Sequence, residues 1–269
     1  MLGKLIKYDL KSMFRSLTPL FIAFLIVGVL TGFILPSVND NNPVFMQITT
    51  GLLILLLVGL TIAVYVMTMI IIIRRFYTNL LSDEGYLSFT LPVSHFAHFM
   101  SKSISAYIAT IVSGLVGLVG YVLLFGVFGA RSTGLPDLYE LFEAVCRTLK
   151  QIPDIGVKYI VVFLLLILVG AFQKIVKLYF AMMIGNLSND HKIFMSFVSW
   201  IGISVVESII SQIISYAIGF EESISNAIIL GEASGPLTFF ICTLIFEIGL
   251  SVIYTLSSYL LMKDKLNLA

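Results

Sequence analysis

Charge is scarce in this sequence. Asp, Glu, Lys and Arg make up 12% of the 269 residues, against 59% that are hydrophobic. A soluble domain of this size cannot hide so much apolar surface, which excludes a soluble globular fold. Cysteine is nearly absent. Cys146 and Cys242 are too few and too far apart for a disulfide framework or a metal site. Clustered basic residues with interleaved aromatics are also missing, which argues against a nucleic-acid surface despite a net charge of +1. No Gly-x-x-x-x-Gly-Lys-Ser/Thr run occurs, so the chain does not bind and hydrolyse ATP through such a loop. Neither a His-Glu-x-x-His nor a Gly-x-Ser-x-Gly pattern is present, and the enzyme reading is correspondingly weak. His95 and His98 have no carboxylate or cysteine at metal-ligand spacing and read as interfacial residues at the start of a span.

What the chain has instead is long apolar runs, with a mean hydropathy of +1.05. About 20 apolar residues cross a bilayer core of roughly 30 Å. Six runs qualify: 17–35, 48–73, 103–128, 158–184, 193–218 and 236–262. The expected fold is therefore all-α, a single six-span membrane domain over 17–269. Ahead of it, residues 1–16 place Lys4, Lys7, Lys11 and Arg15 three or four apart, with Leu2, Leu5, Ile6, Met13 and Phe14 on other faces. That pattern predicts an amphipathic helix lying on the membrane surface. No small-residue cleavage site follows the first run, so it is expected to stay as a membrane helix.

Lysine and arginine set the expected orientation. With the N-terminus inside, 12 of the 16 cationic residues fall on the inner side or inner helix ends and 4 outside. Both termini are then cytoplasmic, as an even number of spans requires. Residues 137–150, in the longest outer segment, carry Leu138, Leu141, Phe142, Val145 and Leu149 at helical spacing and predict a short outer amphipathic helix. The longest inner loop, 74–94, combines the Asp83–Glu84 pair, Gly85 and Pro92 with the large side chains of Tyr86, Leu87 and Phe89. Its interrupted helical spacing predicts one or two short helices across the membrane edge, with an acidic feature between apolar anchors.

This loop carries a resemblance. "SDEGYLSFTLPVSHF" is similar to the coupling segment of permease subunits of ABC transporters of the type-two exporter class. That family has an acidic residue and glycine, then leucines, then Thr/Ser-x-Pro-x-Ser/Thr entering the third span. The matching residues are Glu84, Gly85, Leu87, Thr90, Pro92 and Ser94. Asp83 directly before Glu84 departs from the pattern and leaves open which acid plays the family's part. "MLGKLIKYDLKSMFR" resembles the family's amphipathic N-terminal helix, and the six-span layout agrees with it. The resemblance implies a permease subunit of the plasma membrane, bacterial in type, without a cofactor of its own. ATP and magnesium would belong to a separate ATP-binding subunit docked on 74–94 through Asp83, Glu84, Gly85, Tyr86, Leu87, Phe89, Thr90 and Pro92. A second permease copy or paralogue would complete a homodimer or heterodimer, with membrane lipid around it. ATP-driven dimerisation of the partner would push the short helices and tilt spans one, two and five.

Two acids lie inside the spans. Glu207 and Glu247 each sit about 20 Å from the inner ends of their helices at about 1.5 Å per residue. Intramembrane carboxylates are costly and read as candidate functional groups, here facing either a translocation path or a dimer seam. The alternative is a structural pair. Gln212 follows Glu207 on its helix, and Lys174 and Lys177 enter from span four, so a Glu–Lys pair between spans four and five is geometrically allowed. Lys177 is expected to snorkel to the inner surface. The rival function is a self-contained carrier or channel using Glu207 and Glu247 for a coupling ion. The aliphatic spans favour an amphiphilic or hydrophobic cargo such as a peptide or lipid, or a drug.

Overall fold

The computed structural model describes residues 2–35, 44–81, 95–131, 143, 154–188, 191–219 and 234–264. Six long helices account for nearly all of them: α1 (Leu2–Ile34), α2 (Val44–Phe76), α3 (His95–Arg131), α4 (Asp154–Asn186), α5 (Lys192–Ala217) and α6 (Ser234–Asp264). A π-helical turn, Tyr77–Leu81, extends α2. All six helices are long and apolar enough to cross a membrane, and no strand occurs among the described residues. The chain is an all-α, multi-pass membrane protein.

Polarity runs inside out. Large apolar side chains such as Leu52, Leu55, Leu118, Phe163 and Ile213 are exposed, while Thr31, Thr68, Ser101, Ser103 and Ser105 are buried. In hydrocarbon an exposed leucine costs nothing, whereas an unbonded hydroxyl does. Several hydroxyls are therefore satisfied within their own helix. Thr31 donates to the Val27 carbonyl at 2.7 Å, Thr68 to Val64 at 2.7 Å and Ser105 to Ser101 at 2.7 Å.

The boundary expected between an interfacial helix and the first span is not a break: residues 2–34 form one helix. At about 1.5 Å per residue it is about 50 Å long, more than a bilayer core requires. Met13, Leu17, Phe21, Phe24 and Thr31 form one buried stripe along it. Met13 thus continues the inward stripe of the span. Likewise α2 does not stop at Arg74–Arg75 but continues through the buried Phe76 and Leu80. The two arginines remain at the polar end of the apolar run, but backbone hydrogen bonding carries the helix past them. The segment 82–94, and with it Asp83, Glu84, Gly85, Tyr86, Leu87, Phe89, Thr90 and Pro92, lies outside the described residues. The same holds for the helix expected over 137–150, apart from Glu143.

The chain divides into two compact units. One comprises Gly3–Ile72 and Ile108–Gln151. Its core gathers Leu17, Phe21 and Phe24 of α1, Leu57 and Val64 of α2 and Leu124 of α3. Gly28 and Gly32, four apart on α1, let it approach α3 closely. A Cβ on Gly28 would stand 3.2 Å from the Gly120 carbonyl oxygen, and one on Gly32 only 2.7 Å from that of Leu124. This is the small-xxx-small crossing that membrane helices use where apolar side chains give no advantage over lipid. Hydroxyl pairs join α2 to α3: Thr61 with Tyr121 at 2.9 Å and Thr68 with Ser113 at 2.9 Å.

The other unit comprises Met1–Leu2, Ile73–Tyr107 and Ile152–Ala269. Here α4 packs against α5, α6 and the π turn. The α4–α5 connection turns through His191 in the left-handed region at φ 56°. Gly185 lies so close to Ser196 that any side chain there would collide with the α5 backbone. Beyond this root α5 is thinly held, since none of its residues is buried.

Candidate functional site

The π turn and the start of α3 are the two roots of the 82–94 connection, and both rest on α4. Phe76 stacks on Tyr179 with ring centroids 3.8 Å apart and planes 11° from parallel. Phe99 meets Tyr179 edge-on at 6.2 Å and Phe76 edge-on at 6.3 Å. All three rings are essentially fully buried. His98, next to Phe99 in the sequence, is also buried.

Two residues before Tyr179, α4 carries a second feature. Lys177 donates to Oε2 of Glu207 on α5 and forms an ion pair with it. Gln173 donates to Oε1 of the same carboxylate at 2.5 Å, and the Tyr254 hydroxyl on α6 donates to Oε1 at 2.8 Å. Lys177 and Glu207 side chains are 11% and 15% exposed. One carboxylate thus takes donors from two neighbouring helices, and Tyr254 is itself stacked on Phe180 of α4 at 5.4 Å. Removing an ion from water is expensive, so a pair inside an apolar bundle persists only with its hydrogen bonds filled.

The pair between spans four and five therefore forms, but through Lys177. The expected snorkelling of Lys177 gives way to burial, because Glu207 supplies a counter-charge within reach. Lys174 is exposed and not part of this pair. Three residues along a helix turn the side chain by about 300°, so Lys174 points about 60° away from Lys177. Gln212 is likewise exposed and does not join the cluster. Five residues carry it about 140° round the helix from Glu207. Tyr254 had no place in the sequence reading. Its signal was the spacing of Glu247, Ser251, Tyr254 and Ser258, which recur every three or four residues as one polar stripe on α6.

Glu247 sits elsewhere on that stripe, directly over Gly170 of α4. A Cβ on Gly170 would lie 3.1 Å from Oε2 and 3.2 Å from Oε1 of the carboxylate. Among the described residues, no three His, Cys, Asp or Glu side chains come together in a way that could hold a metal ion. No family model matches the chain, and neither a curated protein nor a solved structure matches it.

Proposed function

We propose that the chain is the membrane-spanning subunit of an ATP-driven ABC exporter of the type-two class, carrying an amphiphilic or hydrophobic cargo. Energy comes from a separate ATP-binding subunit docked on residues 74–94, with the termini on the cytoplasmic side and a second copy or paralogue completing the assembly. The observation that carries this reading is where the motif "SDEGYLSFTLP" stands. It connects α2 to α3, and both roots of that connection are clamped on α4 through Phe76, Phe99 and Tyr179. A push on the connection reaches α4 through rigid, buried aromatic contact. Tyr179 lies two residues from Lys177, so the same displacement bears on the Lys177–Glu207 pair that ties α5 to α4. This refines the expected division of movement: α4 joins α5 as a helix on which the push acts.

The test is to uncouple the clamp without touching the expected docking residues 83–92. Phe76→Leu and Tyr179→Leu, each and together, should leave ATPase copurification intact and lower transport per ATP hydrolysed. The stacked pair should show non-additive losses in a double-mutant cycle. Additive losses, or loss of the ATPase subunit itself, would count against transmission through α4.

A further inference from the structure

The two intramembrane carboxylates end in different surroundings. Glu207 accepts hydrogen bonds from Gln173, Lys177 and Tyr254. Glu247 lies on α6 two turns before Tyr254, and its Oε2 is buried without a hydrogen-bond partner among the described residues. The space it occupies exists because residue 170 is glycine. A carboxylate oxygen is an acceptor only, and a buried acceptor without a donor is costly. The residue as a whole remains partly exposed. Exposed aliphatic side chains stand beside it in the sequence: Ile248 next to Glu247 on α6, and Ile167 about one turn before Gly170 on α4. The position thus combines an unpartnered carboxylate oxygen with exposed aliphatic neighbours.

We propose that the Glu247 carboxylate, beside Gly170, binds the primary ammonium group of an amphiphilic ligand. An ammonium supplies both the missing donor and the counter-charge, and the exposed aliphatic neighbours accommodate the ligand's tail. A trimethylammonium head has no N–H to give. The proposal deepens the exporter reading by naming the head group of its cargo. It is tested on the chain alone, so failure of the site and failure of ATPase coupling are separate results.

The full-length protein is placed in phosphatidylcholine nanodiscs, and binding of radiolabelled n-octylamine is measured at neutral pH. Octanol and octyltrimethylammonium serve as competitors. The expected result is one saturable class of sites that neither competitor displaces. Affinity should fall about tenfold or more in Glu247→Gln and fall also in Gly170→Ala. It should hold in Tyr254→Phe. Thermal unfolding of each variant shows whether it is folded, and Gly170→Ala is the milder change if Glu247→Gln is not. Unchanged binding in both folded variants would overturn the proposal. So would the lack of a saturable site, or equal displacement by octanol, which would mark an apolar slot without charge recognition.

Discussion

Removing either half of the Lys177–Glu207 pair should have unequal consequences, because the two ions are not equally supported. Glu207→Met strands the Lys177 ammonium in the bundle. A lysine at the centre of a membrane helix costs about 2.5–3.5 kcal/mol on insertion scales, and breaking a buried pair from one side costs about 3–5 kcal/mol. The expected loss is therefore about 3 kcal/mol, roughly a hundredfold in the unfolding equilibrium. Lys177→Met leaves the carboxylate two of its three hydrogen bonds, from Gln173 at 2.5 Å and Tyr254 at 2.8 Å. That loss should be nearer about 1–2 kcal/mol. The double variant removes both charges and should cost less than the sum, with a coupling of about 2 kcal/mol. Reversible unfolding in mixed micelles, analysed as a double-mutant cycle, measures all three. Single losses that add to within about 0.5 kcal/mol would refute a direct pair. A Lys177 variant as unstable as the Glu207 variant would refute the asymmetry.

Further outcomes follow from the same physics. Gly32→Leu should separate α1 from α3 and destabilise the fold by about 2 kcal/mol or more, since even a Cβ would stand 2.7 Å from the Leu124 carbonyl oxygen. Gly51→Leu, where a Cβ meets nothing within 4 Å, should be tolerated in the same unfolding assay. With native cysteines removed, cysteines at Asn41 and Ser223 should react with an impermeant thiol reagent on intact cells, and one at Ser82 should not; labelling of Ser82 from outside would reverse the orientation.

The six helices were legible because bilayer thickness imposes a length on apolar runs, and each run stands out against its flanks. Helix ends were less so. The runs 17–35 and 48–73 mark where the chain is greasy, whereas the helices Leu2–Ile34 and Val44–Phe76 follow backbone hydrogen bonding beyond those limits. Glu207 was legible as an expensive group at depth. Its partners were not, because a face on one helix says nothing about which face opposes it. Lys174 and Lys177 are both within reach by sequence, and only the packing of α4 chooses Lys177. Gly28 and Gly32 have the small-xxx-small spacing of a close helix crossing, which had no place in the sequence reading, and only the packing names α3 as the facing helix. The Phe76–Tyr179–Phe99 cluster was out of reach, since it joins residues about a hundred positions apart through tertiary contact alone.

The account stands on residues 82–94 receiving an ATP-binding partner. A photo-crosslinking amino acid at Leu87, introduced into the full chain in intact cells, tests this most directly. The account predicts one dominant adduct, with a protein that carries a phosphate-binding loop. Leu87→Asp should release that same protein during purification, because removing a buried anchor costs about 2 kcal/mol or more of binding. Adducts to lipid alone, together with undiminished transport by the purified chain in liposomes without ATP, would contradict the account and favour a self-contained carrier.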